Sequence, residues 1–272
     1  MIRVKSPCKI NLFLEVGPLR KDGYHSIRTV IKEVPLYDII EIRKSKGLSL
    51  KVYGKYDVPS DENNFIIKGS KMLLEYTKKD FGAEIKLYKN IPPGSGYGGG
   101  SSNLAYSLSS LNKLWRLGLK KDELKRIAVR ISSDSAFFFV GKTCYISGRG
   151  EIVKRINFKF PYKFLILYLP DLKISTKRIY SLTKVKLTKL PHLSKIKLML
   201  SEGNYYNRFE EVVFKIYPEL KKVKEKFIHL GSEKALLSGT GAGIWAATNS
   251  RGVVKRVREE FMEKVKILNL TS

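Results

Sequence analysis

The sequence predicts an α+β fold, and three observations predict it. Several short stretches alternate apolar and polar residues with the period of a strand, others repeat their apolar residues at helical spacing, and no regular strand-helix alternation surrounds the glycine-rich segment near the middle. At 272 residues and 43% hydrophobic content the chain can bury a full core, and its length suits one large or two modest domains.

Cys8 to Val16 places Ile10, Leu12, Leu14 and Val16 on one face of a strand and Lys9, Asn11, Phe13 and Glu15 on the other. Lys9 and Asn11 therefore point the same way, either as surface groups of an edge strand or toward a site. Asp22-Gly23 is a hairpin signal that displays Tyr24 and His25 just beyond the turn, where an aromatic beside an imidazole can stack on a base or simply pack. Strands are expected at Ile27 to Val34, Asp38 to Arg43 and Leu48 to Tyr53. After the polar turn Ser60 to Asn64, a helix is expected with Phe65, Met72, Leu73 and Tyr76 on one face. Ala83 to Lys89 alternates again and leads into Ile91 to Asn103, IPPGSGYGGGSSN.

Five of those thirteen residues are glycine, a costly composition to order unless the backbone gains an interaction in return. Successive N–H groups free of Cβ atoms can converge on an anion. Ser101 to Leu117 follows with Leu104, Leu108, Leu111 and Trp115 in helical register, so the glycines lie at a helix N-terminus, with Ser101, Ser102 or Asn103 as its cap. Phosphate binding is the expectation. Gly94, Gly96 and Gly99 satisfy G-x-G-x-x-G, but Pro92-Pro93 interrupts the preceding strand, and no Lys follows Gly100 as a Walker A loop requires. A flexible linker would not run straight into so periodic a helix.

A second helix is expected near Asp122 to Ile131, leading to Asp134, a carboxylate just before the apolar run Ala136-Phe137-Phe138. Such a group is expensive to bury unless paired or used. Thr143 to Ser147 reads as a strand before Gly148-Arg149-Gly150-Glu151, and Lys163 to Leu169 as a buried strand stopped by Pro170. A soft boundary at Glu151 to Phe160 divides the chain into domains 1–155 and 156–272. Lys184 to Met199 is lysine-rich and gives no clear period. Helices are expected at Asn204 to Tyr217, at Glu219 to His229 with Pro218 in its first turn and Gly231 after its end, and at Arg251 to Val265. Leu236 to Ala247 reads as strand, glycine turn and strand, and Lys266 to Leu270 as a last strand.

The net charge of +27, from 52 Lys and Arg against 25 Asp and Glu, raises nucleic acid as a partner. The lysines are dispersed, without a basic block or a nucleic-acid motif, so a solvated surface and no specific nucleic acid are expected. No apolar stretch approaches the ~20 residues of a membrane span. Two cysteines and three separated histidines exclude a disulfide framework and a zinc site. A cytoplasmic protein is expected.

The phrases SPCKINLFLEV with DGYH, PPGSGYGGGSSN, and SGTGA, in that order, resemble the motifs of the GHMP kinases. The resemblance implies two domains with the active site in the cleft between them, ATP and Mg2+ as cofactors, and a small-molecule acceptor. It implies that ATP is bound by Asn64, Phe65 and Lys89 together with Pro93, Gly94, Ser95, Gly96, Tyr97, Gly98, Gly99, Gly100, Ser101, Ser102 and Asn103. Lys9 and Asp134 take the catalytic positions. Asn11, Tyr24, His25, Thr176, Tyr180, Gly239, Thr240 and Gly241 take acceptor positions, and DGYH with Tyr180 implies the branch whose acceptor carries a cytidine diphosphate. Cys8 stands where the family has Ala, a small-for-small change, while Ser133 stands for Ala and Ala136 for Pro beside Asp134, changes that bear on the rigidity of the local backbone more than on the carboxylate's role.

Overall fold

The computed structural model describes residues 1–172, 174–185 and 190–270. Among the described residues the strands form two sheets. The larger has seven strands in the order β3-β4-β2-β1-β8, with β5 pairing a further section of β2 and β6 pairing β5. Its strands are β1 (Ile2–Leu19), β2 (His25–Ser45), β3 (Leu48–Gly54), β4 (Gly82–Lys89), β5 (Thr143–Ser147), β6 (Ile152–Arg155) and β8 (Tyr206–Asn207). The smaller is antiparallel throughout, in the order β11-β7-β10-β9, from β7 (Phe164–Tyr168), β9 (Lys234–Leu237), β10 (Ile244–Thr248) and β11 (Val265–Asn269).

Helices α1 (Phe65–Thr77), α2 (Gly99–Leu114), α3 (Lys121–Val129) and the short α4 (Ser135–Phe138) belong to the first half of the chain. The second half holds α5 (Thr176–Leu182), α6 (Leu193–Ser201), α7 (Glu210–Ile216), α8 (Pro218–His229) and α9 (Arg251–Phe261). The expected stripe of α2 is its buried face: Leu104, Leu108 and Leu111 are fully buried, and Trp115, just past its end, nearly so. They join Ile66, Leu73, Ile85 and Phe137 in the core between helices and larger sheet.

A second core connects the two halves. Ile10 and Leu12 of β1 pack in one cluster with Leu165, Leu167 and Trp245 of the smaller sheet, so the site built between the halves rests on a continuous apolar floor. On the other face of that sheet Ile166, Ile244 and Ala246 meet Phe227 and Val257 of α8 and α9, and Leu14 and Val16 of β1 join this third core.

Several expectations change. The two strands expected within residues 27–43 are one, because Pro35 falls in a bulge: Tyr37 pairs with Pro7 and Val34 with Cys8, and the residues between oppose nothing. A proline without an N–H is tolerated there. The buried face of α1 is Ile66, Ile67, Gly69, Ser70 and Leu73; of the expected face Leu73 is buried, Phe65 and Met72 pack half-buried against the same core, and only Tyr76 is exposed. The helix expected from Asn204 begins as β8, which pairs parallel with β1 through Tyr206 and Asn207, and α7 starts only at Glu210. Asn207 supports this by donating from Nδ2 to the carbonyls of Leu237 and Gly239, each at 2.8 Å. Within the lysine-rich stretch α6 forms from Leu193, while residues 186–189 lie outside those described.

Candidate active site

A cavity of about 1150 Å3 lies between the halves, bounded by the glycine loop, the β1–β2 turn, Asp134 and the start of α5. α2 begins on Gly98, at a φ of +72°, and no side chain caps it. The N–H groups of Gly99, Gly100 and Ser101, in its first turn, have no preceding carbonyl to bond, and with the positive end of the helix dipole they form a seat for an anion. The expected caps are engaged elsewhere. Ser101 Oγ lies 2.8 Å from Ser132 Oγ, Ser102 Oγ accepts from Ser6 Oγ at 2.7 Å, and Asn103 Nδ2 donates to Asp38 Oδ2 at 3.0 Å.

The third motif docks directly on this loop. Ala242 N donates to the Gly94 carbonyl at 3.2 Å, Gly243 N to the Ser95 carbonyl at 2.8 Å, and Ser238 Oγ to the Gly96 carbonyl at 3.2 Å. Gly96, at a φ of +79°, is the tightest point, since a Cβ there would stand 1.8 Å from the Ser238 carbonyl oxygen. The two glycine segments are therefore one interlocked unit, although some 140 residues separate them.

Lys9 reaches this unit from β1. Its side chain is 4% exposed, and Nζ donates to Asn11 Oδ1 at 2.7 Å and lies 3.6 Å from Asp134 Oδ2. Burial pushes the Lys9 ammonium below its usual range, and the charge and hydrogen bond of Asp134 push it back up. Asn11 is held in turn: its Nδ2 donates to Thr29 Oγ1 at 2.9 Å, and Thr29 Oγ1 donates to the Phe13 carbonyl at 2.6 Å. Asp134 is half exposed, at 46%, on a segment anchored by Ser135 Oγ donating to the Ser132 carbonyl and by the buried Ala136 and Phe137. The small residues that depart from the family pattern are compatible with this close packing.

At the other end, Tyr24 is exposed and the Arg149 guanidinium carbon lies 4.9 Å from the centre of its ring. The His25 ring is stacked on Tyr180 with centroids 5.8 Å apart, its Nδ1 lies 2.9 Å from the Gly17 carbonyl oxygen, and Tyr180 meets Phe209 edge-on at 4.7 Å. Burial pushes the Tyr180 hydroxyl well above the ordinary tyrosine range. Thr176 Oγ1 and Thr240 Oγ1 share a hydrogen bond at 2.9 Å, tying α5 to the third motif.

Every site residue expected from the sequence lines this cavity except Tyr97, Ser102 and Gly241. Tyr97 turns into the shared core, where its hydroxyl lies within 2.9 Å of the Tyr168 and Ile244 carbonyl oxygens. Ser102 faces Ser6, and Gly241 is packed on Gly96 N, with room for no Cβ. Asn64 lines the cavity while capping α1, its Oδ1 accepting from Ile66 N at 2.9 Å. Lys89 lines it while donating to Asp38 Oδ2. Asp38, Thr29, Ser238 and Arg149 carry no site role in the sequence reading, although Ser238 opens SGTGA, Arg149 lies in the turn Gly148 to Glu151 and Asp38 is a carboxylate in an apolar strand.

Residues 64–142 match the family described as GHMP kinases N terminal domain, and residues 187–267 match GHMP kinases C terminal. The chain is 32% identical over 263 residues to a 4-diphosphocytidyl-2-C-methyl-D-erythritol kinase from Bacillus cereus, spanning 93% of this chain and 90% of that one. A protein of the same name from Shouchella clausii is 33% identical over 265 residues, spanning 93% and 88%. Among solved structures, a 4-(cytidine 5'-diphospho)-2C-methyl-D-erythritol kinase superposes with a TM-score of 0.81 at 26% identity, covering 98% of this chain and 97% of that one. The homoserine kinase from Cytophaga hutchinsonii shares the fold, with a TM-score of 0.69 at 16% identity and coverage of 98% and 93%. With both domain families matched in order and relatives aligned along nearly the whole length, the chain belongs to the GHMP kinases.

Proposed function

We infer that this enzyme transfers the γ-phosphoryl group of ATP to the 2-hydroxyl of 4-diphosphocytidyl-2-C-methyl-D-erythritol, a step of the non-mevalonate route to isoprenoid precursors. The observation that carries the reading is one continuous cavity, running from the glycine loop past Lys9 and Asp134 to the aromatic group of Tyr24, His25 and Tyr180. Its two ends suit a nucleoside triphosphate and a second nucleotide-like molecule, with an acid-base pair between them.

Phosphoryl transfer passes through a loose transition state, so positioning and charge neutralisation supply most of the catalysis. The N–H groups at the start of α2 hold the phosphates. Asp134 orients the attacking hydroxyl and accepts its proton. The Lys9 ammonium, placed by Asn11 and 3.6 Å from Asp134 Oδ2, meets the negative charge on the transferred group.

Among the described residues no group of three His, Cys, Asp or Glu could cage a metal, and Asp134 is the only carboxylate lining the cavity. This donor set would suit a magnesium ion carried by the phosphates of ATP, with Asp134 the one lining carboxylate that could supply a protein oxygen. When bound, such an ion neutralises charge on the triphosphate.

Among the described residues no helix is long and apolar enough to cross a membrane. Both cysteines are free and buried, which supports a reduced, cytoplasmic setting, and the dispersed lysines support no specific nucleic acid partner. An ADP-release assay on the purified protein tests the reading: turnover is expected with the cytidine-linked acceptor and not with homoserine or mevalonate. Preference for either of the last two would overturn it.

A further inference from the structure

The acceptor assigned above carries a diphosphate between its cytosine end and its reacting hydroxyl, and a cation lining the acceptor half of the cavity would offset that charge. Among the described residues four Lys or Arg side chains line the cavity: Lys9, Lys89, Arg149 and Lys177. Two are committed, Lys9 to Asn11 and Asp134 and Lys89 to Asp38. Lys177 is exposed on the first turn of α5. Arg149 remains.

Its backbone is fixed between the two ends of the site. Arg149 occupies the turn joining β5 and β6, where the preceding Gly148 carbonyl accepts from Ile27 N at 2.8 Å, two residues beyond His25. The following Gly150 abuts Ser133, the neighbour of Asp134, so closely that a Cβ would come within 3.1 Å of Ser133 Cβ. Arg149 N donates to the Glu151 carboxylate at 2.7 Å, which closes the turn. Among the described residues the guanidinium donates to no acceptor and is held only against the Tyr24 ring. The Asp22 carboxylate, which feels the Arg149 charge, is already taken by Arg20 at 3.0 Å. A planar, permanently charged fork resting on an aromatic face, with its donors unspent, is suited to phosphate oxygens.

We propose that Arg149 binds the diphosphate of the acceptor and so sets the spacing between the cytosine at Tyr24 and the hydroxyl at Asp134. This rests on the acceptor assignment above. Equilibrium binding of cytidine, cytidine monophosphate and cytidine diphosphate to the wild type and to Arg149→Gln, Arg149→Lys and Lys177→Gln tests it, with ATP affinity measured in each as the check on folding. The wild type should tighten from cytidine to the diphosphate by about tenfold or more, the size of a charge-assisted contact. Arg149→Gln should lose most of that gain while cytidine alone changes by less than about twofold, since the charge, not the ring, is removed. Arg149→Lys should keep part of the gain, and Lys177→Gln should keep it all.

The proposal is overturned if Arg149→Gln retains the gain, if Lys177→Gln loses it instead, or if cytidine weakens as much as the diphosphate, which would make Arg149 a mere support for Tyr24. A wild type that binds none of the three would overturn the acceptor assignment itself.

Discussion

Asp38 and Lys89 meet inside the protein, Oδ2 to Nζ at 2.5 Å, with side-chain exposures of 0% and 3%. The other oxygen of Asp38 accepts from the backbone N–H groups of Asn90 and Ile91 at 2.7 and 2.8 Å, and Asn103 Nδ2 shares Oδ2 at 3.0 Å. One carboxylate thus fixes the entrance to the glycine loop, its exit into α2, and a lysine beneath Gly99. Removing one partner of such a buried pair strands the other. Asp38→Asn should therefore cost roughly 3–5 kcal/mol of stability, read from urea midpoints. Asp38→Asn combined with Lys89→Met should recover part of the loss, and additive losses would contradict the pairing.

Gly96→Ala should be destabilising because its Cβ overlaps the Ser238 carbonyl, and the left-handed φ adds strain. A loss of roughly 2–4 kcal/mol is expected, with weakened ATP binding. Gly23→Ala, also at positive φ but in open space, should cost less. Equal losses at the two positions would mean that the interlock of the second and third motifs contributes little.

The Lys9 ammonium must be charged to act, and its burial shifts its titration downward. Lowering the pKa of a cation means that deprotonation, and loss of activity, begins at lower pH. The alkaline limb of kcat should therefore lie below the ordinary lysine value of about 10.4. A pH profile flat to that value would show that burial does not govern Lys9.

Because Tyr180 stacks on His25, the two residues should act together on the base. Tyr180→Ala should weaken cytidine diphosphate binding by about ten- to a hundredfold, the worth of one stacking platform. It should also blur cytidine over uridine, by releasing the imidazole. His25→Ala should erode that preference further, because a site that pairs polar groups penalises the wrong base. Unchanged affinities for both bases in both variants would remove these rings from the acceptor site.

Much of this was legible along the chain because its causes are local. The α2 stripe ending at Trp115, Pro218 opening α8 and the Asp22-Gly23 turn each depend on residues a few positions apart. What escaped depends on partners far away in sequence. β8 is only two residues long and exists by pairing with β1, some 190 residues earlier. Asp38 finds Lys89 after 51 residues. Glycine patterns marked the phosphate loop, but not which residues turn from it: Tyr97 is drawn into the core by carbonyls of Tyr168 and Ile244, which no local pattern announces.

Which hydroxyl receives the phosphoryl group is measured by 31P NMR of the reaction of ATP with 4-diphosphocytidyl-2-C-methyl-D-erythritol. Carbon 2 of the acceptor bears a methyl group and no hydrogen, so phosphorylation there gives a phosphomonoester signal without coupling to a carbinol proton. The wild type should produce that uncoupled signal along with ADP. Asp134→Asn should produce it on the order of 100-fold more slowly or less, with ATP binding intact. A coupled signal, marking a primary or secondary hydroxyl, or an Asp134→Asn variant within about tenfold of wild type, a deficit under about 1.4 kcal/mol, would contradict the account.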